Sequence, residues 1–398
     1  MLSLCMIVKN EANRLPHCLE SVRSLVDEAI VLDTGSTDAT VETAQSLGAQ
    51  VQHFPWNNDF AAARNECLKY AQGDWVLVLD ADEALIESAI PLIQRAMQQS
   101  SVLVVNLLRQ EIGAVQSPYS LVSRLFRRHP AIQFTRPYHA QIDDSVAALL
   151  VQEPHWRIID LPDVAIAHFG YAPGAIASRD KFAQASAAME TFLAVHPNDA
   201  YDCSKLGALY VEQGDFDRGI ALLDRGLRSA EAAPIRYELH YHLGIAYSRR
   251  QQFDLAHKHY QLAIAQRILP ALKLGAYVNL GSVYQAQGNL TEAKVAYETA
   301  IQIDPTLALA HYNLGLTLKM MGNLTGAIAA YQQAIHLQPD YADAHQNLAV
   351  VLLKLGQVPA SLAAFQQAIA LHERTNPAEA TRLRQGLQEM GLNPSPNA

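Results

Sequence analysis

The stretch from residue 29 to residue 47, AIVLDTGSTDATVETAQSL, predicts the fold of the first half of the chain. Its apolar start favours a buried strand, the run DTGSTD favours a turn, and residues 41–47 favour a helix. Strand and helix signals continue to alternate around it, with strands expected at 2–8, 50–54 and 75–79 and helices at 11–25 and 61–71. This alternation predicts an α/β domain with a parallel, doubly wound sheet, in which ligands bind beyond the carboxyl ends of the strands.

The second half, from about residue 199, has a repeated pattern and no strand signal. Leu-Gly pairs occur at 206–207, 243–244, 280–281 and 314–315, followed by Leu-Ala at 348–349. The first two steps are 37 residues and the last two are 34 residues. A period of 34 is typical of tetratricopeptide units, in which two helices joined by a turn stack into a solenoid. We therefore predict an all-α solenoid of five units at 199–375, and a capping helix and tail at 376–398.

Composition limits the classes of protein that remain. A chain of 398 residues has room for two or three domains, and its net charge of −9 disfavours a nucleic-acid partner. Its four cysteines form no C-x-x-C pair, which disfavours a zinc site or disulfide framework and suits a reducing compartment. No apolar run reaches about 18 residues, so no transmembrane segment is predicted. We expect a cytoplasmic protein, with peripheral membrane association left open.

The most informative polar cluster of the first half is WVLVLDADE at residues 75–83, where an apolar run ends in Asp80, Asp82 and Glu83. Two carboxylates at positions i and i+2 after a strand are able to reach one divalent cation. Oxygen ligands suit Mg²⁺ or Mn²⁺ shared with substrate phosphates. The same residues also fit an ordinary charged exit from a strand, because D-x-D is a short motif.

Two further clusters leave both a ligand role and a structural role open. In VLDTGSTD, the polar residues after Gly35 fit a helix N-cap, whereas Asp33 lies one step earlier than a cap requires and is a candidate ligand-binding residue. In DFAAARN, Arg64 fits either a solvated helix face or a contact with a nucleotide.

Four runs together carry a family resemblance: SLCMIVKNEANRL, LDTGSTD, FAAARN and GDWVLVLDADE, in this order and at this spacing. Over residues 2–172 the chain resembles a family-two glycosyltransferase of the GT-A fold, which has a Rossmann-like nucleotide-diphospho-sugar transferase sheet. The runs RLFRR, YHAQI and AHFGY, at 124–128, 138–142 and 167–171, are similar to motifs of a subgroup that continues into tetratricopeptide repeats. The resemblance places the catalytic domain at 1–172. The residues that follow, entered through the break at Pro173-Gly174, predict a connecting helix at 173–198.

The resemblance implies metal-dependent transfer of a sugar from a nucleotide-diphosphate sugar to an acceptor, with inversion as the family expectation. Asp82 would bind Mn²⁺ or Mg²⁺, and the cation would offset the charge that develops on the leaving diphosphate. His168 either helps to hold the metal or the diphosphate, or is a satisfied core histidine near a strand end. The residues implied for nucleotide-sugar binding are Glu11, Asp33, Arg64 and Asp80.

One position departs from the subgroup, which usually has His-Glu where this chain has His139-Ala140. That glutamate would be the natural base for the acceptor hydroxyl, and Ala140 has no carboxylate. Asp143 or Asp144 is the candidate substitute, although either also fits a solvated loop charge. The alternative function is a tetratricopeptide scaffold with a catalytically weakened nucleotide-sugar-binding domain. A nucleotidyltransferase is disfavoured because the N-terminus lacks a Gly-rich phosphate loop with basic residues.

Three asparagines of the repeats are candidate partner-binding residues. Asn279, Asn313 and Asn347 recur at steps of 34 residues, each one residue before a Leu-Gly or Leu-Ala pair. This position of tetratricopeptide units often points into the concave groove, where an amide suits the backbone of an extended peptide. The ladder therefore fits contact with a protein partner or acceptor, or else a common residue in a groove that binds nothing.

Overall fold

The computed structural model describes residues 1–136, 138–170 and 179–392, and for residues 179–184 it describes the backbone alone. The chain divides into two compact units, Met1–Asp202 and Cys203–Ala398. The strands of the first unit are β1 (Leu2–Val8), β2 (Glu28–Asp33), β3 (Gln50–His53), β4 (Trp75–Val78), β5 (Glu83–Leu85), β6 (Val102–Glu111), β7 (Tyr119–Arg127) and β8 (Arg157–His168). Its helices are α1 (Leu15–Val22), α2 (Thr40–Ser46), α3 (Phe60–Leu68), α4 (Ile90–Met97), α5 (Asp143–Gln152) and α6 (Arg179–Val195).

All eight strands belong to one sheet, in the order β3-β2-β1-β4-β7-β6-β8-β5. Alternate residues of β1 point to opposite sides of this sheet, and each side has its own core. On one side Leu4 and Met6 belong to a cluster that includes Leu15 of α1 and Ile93 of α4. On the other side Cys5 belongs to a cluster that includes residues of α3 and α5. Helices on both faces confirm the predicted α/β class.

The far half of the sheet differs from the parallel arrangement expected from the sequence. Strands β1 to β4 are parallel, as predicted. Strand β7 then pairs antiparallel with β4 and with β6, while β8 runs parallel to β6 and antiparallel to β5. The sheet is therefore mixed. The expectation of a wholly parallel sheet was wrong because the strand–helix alternation that supports it ends near residue 79.

Paired helices form the repeat region, and they confirm the predicted tetratricopeptide fold. The pairs α7–α8 to α15–α16 follow the five sequence units, and α17 comes after them. The helices are α7 (Ala200–Glu212), α8 (Phe216–Ser229), α9 (Ala233–Arg249), α10 (Phe253–Ile264), α11 (Leu274–Ala286), α12 (Leu290–Ile303), α13 (Ala308–Met320), α14 (Leu324–Leu337), α15 (Ala342–Lys354), α16 (Val358–Thr375) and α17 (Pro377–Glu389).

Three of the four glycines in the Leu-Gly pairs pack against a tyrosine from the second helix of their own unit, and Gly207 packs against Leu223 in the same way. A Cβ atom at Gly281 would lie 2.7 Å from the ring of Tyr297, and one at Gly315 would lie 2.6 Å from the ring of Tyr331. Both tyrosines are fully buried. The Leu-Gly pairs therefore recur because a larger side chain would separate the two helices of a unit.

The asparagine ladder makes contacts between neighbouring units. Asn347 donates from Nδ2 to the hydroxyl of Tyr312, in the preceding unit, at 3.2 Å. Asn279 makes the same contact with Tyr241 at 3.4 Å. For Asn313 the equivalent position in the preceding unit is Val278, which has no hydroxyl. Two of the three asparagines are thus occupied by structural hydrogen bonds.

Parts of three sequence predictions lie outside the described residues. These are the start of the connecting helix at 173–178, Tyr171 of the AHFGY run, and the end of the tail at 393–398. Helix α6 lies within the range expected for the connecting helix. In the part of the chain that the structure describes, no helix has the length and apolar character needed to cross a membrane.

Candidate active site

A cleft of about 330 Å³ lies at the carboxyl ends of β1, β2 and β4. These three strands are neighbours in the sheet, so the polar residues that follow them are brought together. The side chains of α3 and of the segment before it close the other side of the cleft. The lining residues are Ile7, Val8, Lys9, Glu11, Thr34, Trp56, Phe60, Asp80, Ala81 and Asp82.

The loops after β1 and β2 are joined by hydrogen bonds. Asn10 accepts from the backbone N–H of Thr37 at 2.7 Å, and its own N–H donates to Oγ of Ser36 at 2.9 Å. Asn10 has a φ of 58°, a left-handed conformation that asparagine tolerates better than most residues. The backbone N–H of Glu11 donates to Oγ1 of Thr40 at 2.8 Å. The two sequence runs therefore form one fixed wall of the cleft.

Asp33 lies at the end of β2, next to the lining residue Thr34, and is only 4% exposed. Its carboxylate accepts from the backbone N–H groups of Gly35 and Ser36, each at 3.1 Å. Burial acts to raise the pKa of Asp33, but these hydrogen bonds outweigh it and hold the pKa below its ordinary value. Asp33 therefore stabilises the turn at this edge of the cleft, and its predicted contact with the nucleoside stays a prediction.

Two arginines from different elements hold Asp80. Its Oδ1 is 2.7 Å from Nη2 of Arg64 on α3, and its Oδ2 is 2.8 Å from Nη2 of Arg124 on β7. Burial acts to raise the pKa of Asp80, but the charges of Arg124 and Arg64 keep that pKa well below its usual range. Because each carboxylate oxygen already contacts a guanidinium group, Asp80 is less suited than Asp82 to bind a cation directly.

A chain of buried ion pairs continues from Asp80 into the sheet. The backbone N–H of Asp80 donates to Oε2 of Glu83 at 2.9 Å. Oε1 of Glu83 is 2.7 Å from Nη1 of Arg109, whose Nη2 is 2.9 Å from Oε1 of Glu111. Ser120 also donates to this oxygen of Glu111, at 2.6 Å. The network connects strands β5, β6 and β7 with the loop that contains Asp80.

His168 ends β8 between two carboxylates. Its Nδ1 is 2.5 Å from Oε2 of Glu111, and its Nε2 is 3.4 Å from Oδ2 of Asp82. Burial acts to lower the pKa of His168, but the hydrogen bonds with Asp82 and Glu111 outweigh it and raise the pKa to about 9. In return, His168 lowers the pKa of Asp82. The structure thus brings together the two residues that the sequence predicts as metal ligands.

Gly170 packs closely against these two residues, so a side chain at this position would collide with His168. A Cβ atom there would lie 2.6 Å from Nε2 of His168 and 3.4 Å from Oδ2 of Asp82. Within residues 1–136, 138–170 and 179–392, no group of three or more His, Cys, Asp and Glu side chains is arranged to hold a metal ion. A cation held only by Asp82 and His168 would have to complete its coordination with other oxygens, such as those of a diphosphate and of water.

Glu11, in the loop after β1, is one of the residues that line the cleft. Its Oε2 is 3.5 Å from Nη1 of Arg14. Burial raises the pKa of Glu11 above its ordinary value. Glu11 is thus in the cleft where the sequence predicts a nucleotide-sugar ligand, together with Asp80 and Asp82, while Arg64 reaches the cleft through its contact with Asp80.

The two candidate bases begin α5 and are not among the residues that line the cleft. Asp144 accepts from Oγ1 of Thr135 at 2.7 Å and from Nη2 of Arg136 at 3.1 Å. Asp143 accepts from Oγ of Ser123 at 3.1 Å, and desolvation raises its pKa above the ordinary value. Asp143 is the better placed of the two for proton transfer, because Asp144 is tied to a guanidinium group.

Sequence reasoning gave no role to Arg109, Glu111 or Arg124, although all three belong to the network around the D-x-D segment. One signal was available in the strand VLVVNLLRQE. Arg109 and Glu111 are opposite charges two residues apart in an otherwise apolar run, so they share one face of a buried strand. Buried charges of this kind are almost always paired. The partners of Arg109 and Glu111 depend on the pairing of β6 with β8, which the sequence did not reveal.

The fold and the cleft together define a sugar-transferase domain joined to helical repeats, and comparison with known families agrees. The model of glycosyl transferase family 2 matches residues 3–159. Tetratricopeptide or TPR repeat models match residues 204–271, 281–322, 320–356 and 342–379. The chain belongs to the family 2 glycosyltransferases with tetratricopeptide repeats.

Relatives match both parts of the chain. A TPR repeat-containing protein of Synechococcus elongatus is 46% identical over 304 residues, which cover 76% of this chain and 75% of that protein. The prophage-derived glycosyltransferase SunS of Bacillus subtilis is 31% identical over 142 residues, or 34% of this chain and 33% of SunS. An uncharacterized glycosyltransferase of Rickettsia bellii is 32% identical over 36% of this chain and 52% of its own length. The chain thus spans a third to a half of these two glycosyltransferase relatives.

Among solved structures, the TPR protein YrrB, described as having an unusual peptide-binding site, aligns with 50% of this chain and 100% of its own length. The sequence identity is 17% and the TM-score is 0.40.

Proposed function

We propose that the first unit transfers a sugar from a nucleoside-diphosphate sugar to an acceptor hydroxyl, with Mn²⁺ or Mg²⁺ as cofactor. The observation that carries the proposal is the convergence of Glu11, Asp80 and Asp82 on one cleft at the ends of three neighbouring strands. The acceptor oxygen forms a bond to the anomeric carbon as the bond from that carbon to the diphosphate breaks. A single displacement of this kind inverts the anomeric carbon.

The nucleoside half of the donor fits the wall that contains Trp56 and Phe60. Both rings line the cleft, with centroids 4.8 Å apart in an edge-to-face arrangement. Phe60 is 36% exposed although it is large and apolar, so a stacked base would bury surface that is open to water. Asp33, at the end of β2, and Glu11, in the loop after β1, would complete the nucleoside end of the proposed site.

The diphosphate half fits the region around Asp80 and Asp82. Among the described residues, Nε and Nη1 of Arg64 and Nη1 of Arg124 are buried without a hydrogen-bond partner. Both arginines contact the carboxylate of Asp80 and so place positive charge beside this region, which suits a diphosphate. Asp82 and His168 would hold the divalent cation, which when bound stabilises the negative charge of the leaving group.

The proton of the acceptor hydroxyl would pass to Asp143 or Asp144.

A second candidate function is favoured by the contacts of this region. Ala140 packs against the core shared with α3 and α5 and offers no acceptor group, and Asp144 is paired with Arg136. With the base absent, the first unit would bind the donor with little transfer, and the chain would act chiefly as a tetratricopeptide scaffold.

The repeats would supply the binding site for a protein partner or for a polypeptide acceptor. Tetratricopeptide solenoids present extended surfaces that suit this role. Asn313 is the best candidate of the three asparagines. Asn279 and Asn347 each donate to a tyrosine hydroxyl of the preceding repeat, whereas Val278 occupies the equivalent position for Asn313.

The test is release of nucleoside diphosphate from a panel of UDP-, GDP- and dTDP-sugars with Mn²⁺ present. One donor should release its nucleotide slowly without acceptor, and Asp82→Asn should lower that rate at least about 100-fold. The matched control is Asp163→Asn, since Asp163 is an exposed aspartate of β8. Release at the same rate in Asp82→Asn would remove Asp82 from the mechanism. Binding of a nucleoside diphosphate with no release from any sugar donor would favour the scaffold.

A further inference from the structure

The strongest unassigned feature is the carboxylate of Glu111, which contacts His168 but does not reach the cleft. Glu111 ends β6 and His168 ends β8, and the two are register partners in these paired strands. Glu83 on β5 is the register partner of His168 on the other side. Strands β6 and β8 thus end, and β5 begins, at one level of the sheet, with the histidine between two glutamates.

The backbone around His168 is fixed from both sides. The carbonyl oxygen of His168 accepts from the N–H of Ile112 at 2.9 Å. The N–H of Phe169 donates to the carbonyl oxygen of Asp82, also at 2.9 Å. These bonds place Asp82 beside His168. They leave the rotation of the imidazole ring to be set by its side-chain partners.

Glu111 sets that rotation. Its Oε1 is taken by Nε of Arg109 at 2.9 Å and by Oγ of Ser120 at 2.6 Å, which leaves Oε2 for Nδ1 of His168. A carboxylate held by two donors accepts a hydrogen bond, so Nδ1–H of His168 donates to Oε2. Nε2 then lies 3.4 Å from Oδ2 of Asp82, the other candidate ligand.

We propose that Glu111 is a positioning residue, which holds Nδ1–H of His168 so that Nε2 is presented with Asp82 to the divalent cation. The inference rests on the proposed function for the identity of the ligand at this site. Metal-binding histidines generally use such a carboxylate partner to fix their tautomer and orientation, and loss of the partner typically costs 10–100-fold in metal affinity. Glu111, which is 7% exposed, would thus act on the cation only through His168.

The first test is the ¹⁵N and ¹H NMR spectrum of the imidazole groups in histidine-labelled protein. His168 should give an Nδ1–H proton that is shifted far downfield, assigned by its loss in His168→Gln. The signal should disappear or move upfield in Glu111→Gln. A neutral His168 with its proton on Nε2 in the unsubstituted protein would overturn the proposal, and this measurement does not require any variant of Glu111 to fold.

The second test is Mn²⁺ binding, followed by loss of the free-ion electron paramagnetic resonance signal. Glu111→Gln should bind Mn²⁺ about 10–100-fold more weakly than the unsubstituted protein. The matched control is Glu28→Gln, since Glu28 accepts hydrogen bonds from Ser3 and Gln72 at the opposite end of the sheet. Equal affinity in Glu111→Gln and the unsubstituted protein would overturn the proposal. Failure of the sugar-transfer proposal would be seen separately, as absence of nucleotide release from every donor.

Discussion

At the scale of single residues, Gly170 controls the geometry of the candidate metal ligands. A side chain at this position would collide with the imidazole of His168 and come within 3.4 Å of Oδ2 of Asp82. We expect Gly170→Ala to push the imidazole away, because a Cβ atom 2.6 Å from Nε2 is far inside contact distance. Mn²⁺ affinity and nucleotide release should each fall by about tenfold or more, measured by the metal titration and the release assay described above.

The control for this change is Gly386→Ala. Gly386 lies in α17, and a Cβ atom there would meet no heavy atom within 4 Å. Alanine at that position should keep the activity and stabilise the helix slightly. Retention of full Mn²⁺ affinity in Gly170→Ala would show that the cation does not sit beside His168.

For the D-x-D segment, the sequence predicted part of the arrangement of the site. The motif predicted that Asp80 and Asp82 share a site, and both line the cleft. The motif alone did not separate their roles, and only the family resemblance assigned the cation to Asp82. The difference in their contacts comes from Arg64 and Arg124, which lie 16 and 44 residues away from Asp80. Contacts at such separations depend on tertiary structure.

At the scale of elements, the turns between paired helices differ at one position. Gly214, Gly288, Gly322 and Gly356 have φ between 75° and 84°, whereas Gln251 occupies the same turn of the second unit with a φ of 58°. We expect Gln251→Gly to stabilise the repeats by about 1 kcal/mol, because a left-handed conformation costs a residue with a Cβ atom about this much. Urea unfolding followed by circular dichroism at 222 nm measures the change.

Gly322→Gln is the converse variant and should lose a similar amount of stability. Tryptophan fluorescence provides an internal reference for both, because Trp56, Trp75 and Trp156 all lie in the first unit. If Gln251→Gly lowers the free energy of unfolding, Gln251 makes a contact worth more than the strain of its turn.

Three histidines of the second tetratricopeptide repeat are expected to lower the stability of the repeats in acid. Burial, aided by nearby positive charges, lowers the pKa of His240 and of His259 to about 4, and Nδ1 of one is 3.1 Å from Nδ1 of the other. Burial also lowers the pKa of His242 to about 4. An unfolded histidine titrates near 6.5 and so binds more protons than the folded one between these values. Stability of the repeats is therefore complete above about pH 6.5 and should fall as the pH drops toward 4.

The measurement is the urea midpoint by circular dichroism at pH 7.5 and pH 5. The double variant His240→Gln, His259→Gln should show a smaller loss between these two pH values, since it removes two of the three groups that must be protonated. A loss as large as that of the unsubstituted protein would assign the acid sensitivity to other residues.

The elements differ in how much of their arrangement was visible in the sequence. Strand β1, Leu2–Val8, begins and ends where its apolar run does, since such a run can only be buried. The repeats were visible because the packing of a small residue against a large one recurs in the sequence, as glycine against tyrosine in the second, third and fourth units. The hairpin of β6 and β7 was not predicted, because its pairing with β4 depends on contacts between residues about 50 positions apart.

At the scale of the whole molecule, the two units have different tasks in the proposed function. The first contains the cleft, the ion-pair network and every residue assigned to the donor or the cation. The second has a separate core, formed by residues such as Tyr331 and Phe365 that no proposed catalytic step uses. Changes in the repeats are therefore expected to alter the choice of acceptor or partner without altering donor chemistry.

The asparagine ladder tests this separation, because its members differ in their contacts. Asn347 donates to the hydroxyl of Tyr312 and accepts from Nζ of Lys319 at 2.6 Å. Asn347→Ala should therefore lower the free energy of unfolding by about 1 kcal/mol. Asn313→Ala should change it by less than about 0.5 kcal/mol, because Val278 offers that side chain no hydroxyl.

If Asn313 contacts a polypeptide, its alanine variant should transfer less labelled sugar onto polypeptides in a cell lysate, with unchanged nucleotide release in the absence of acceptor. The same labelled polypeptides at the same intensity in the variant would show that the ladder only joins neighbouring repeats.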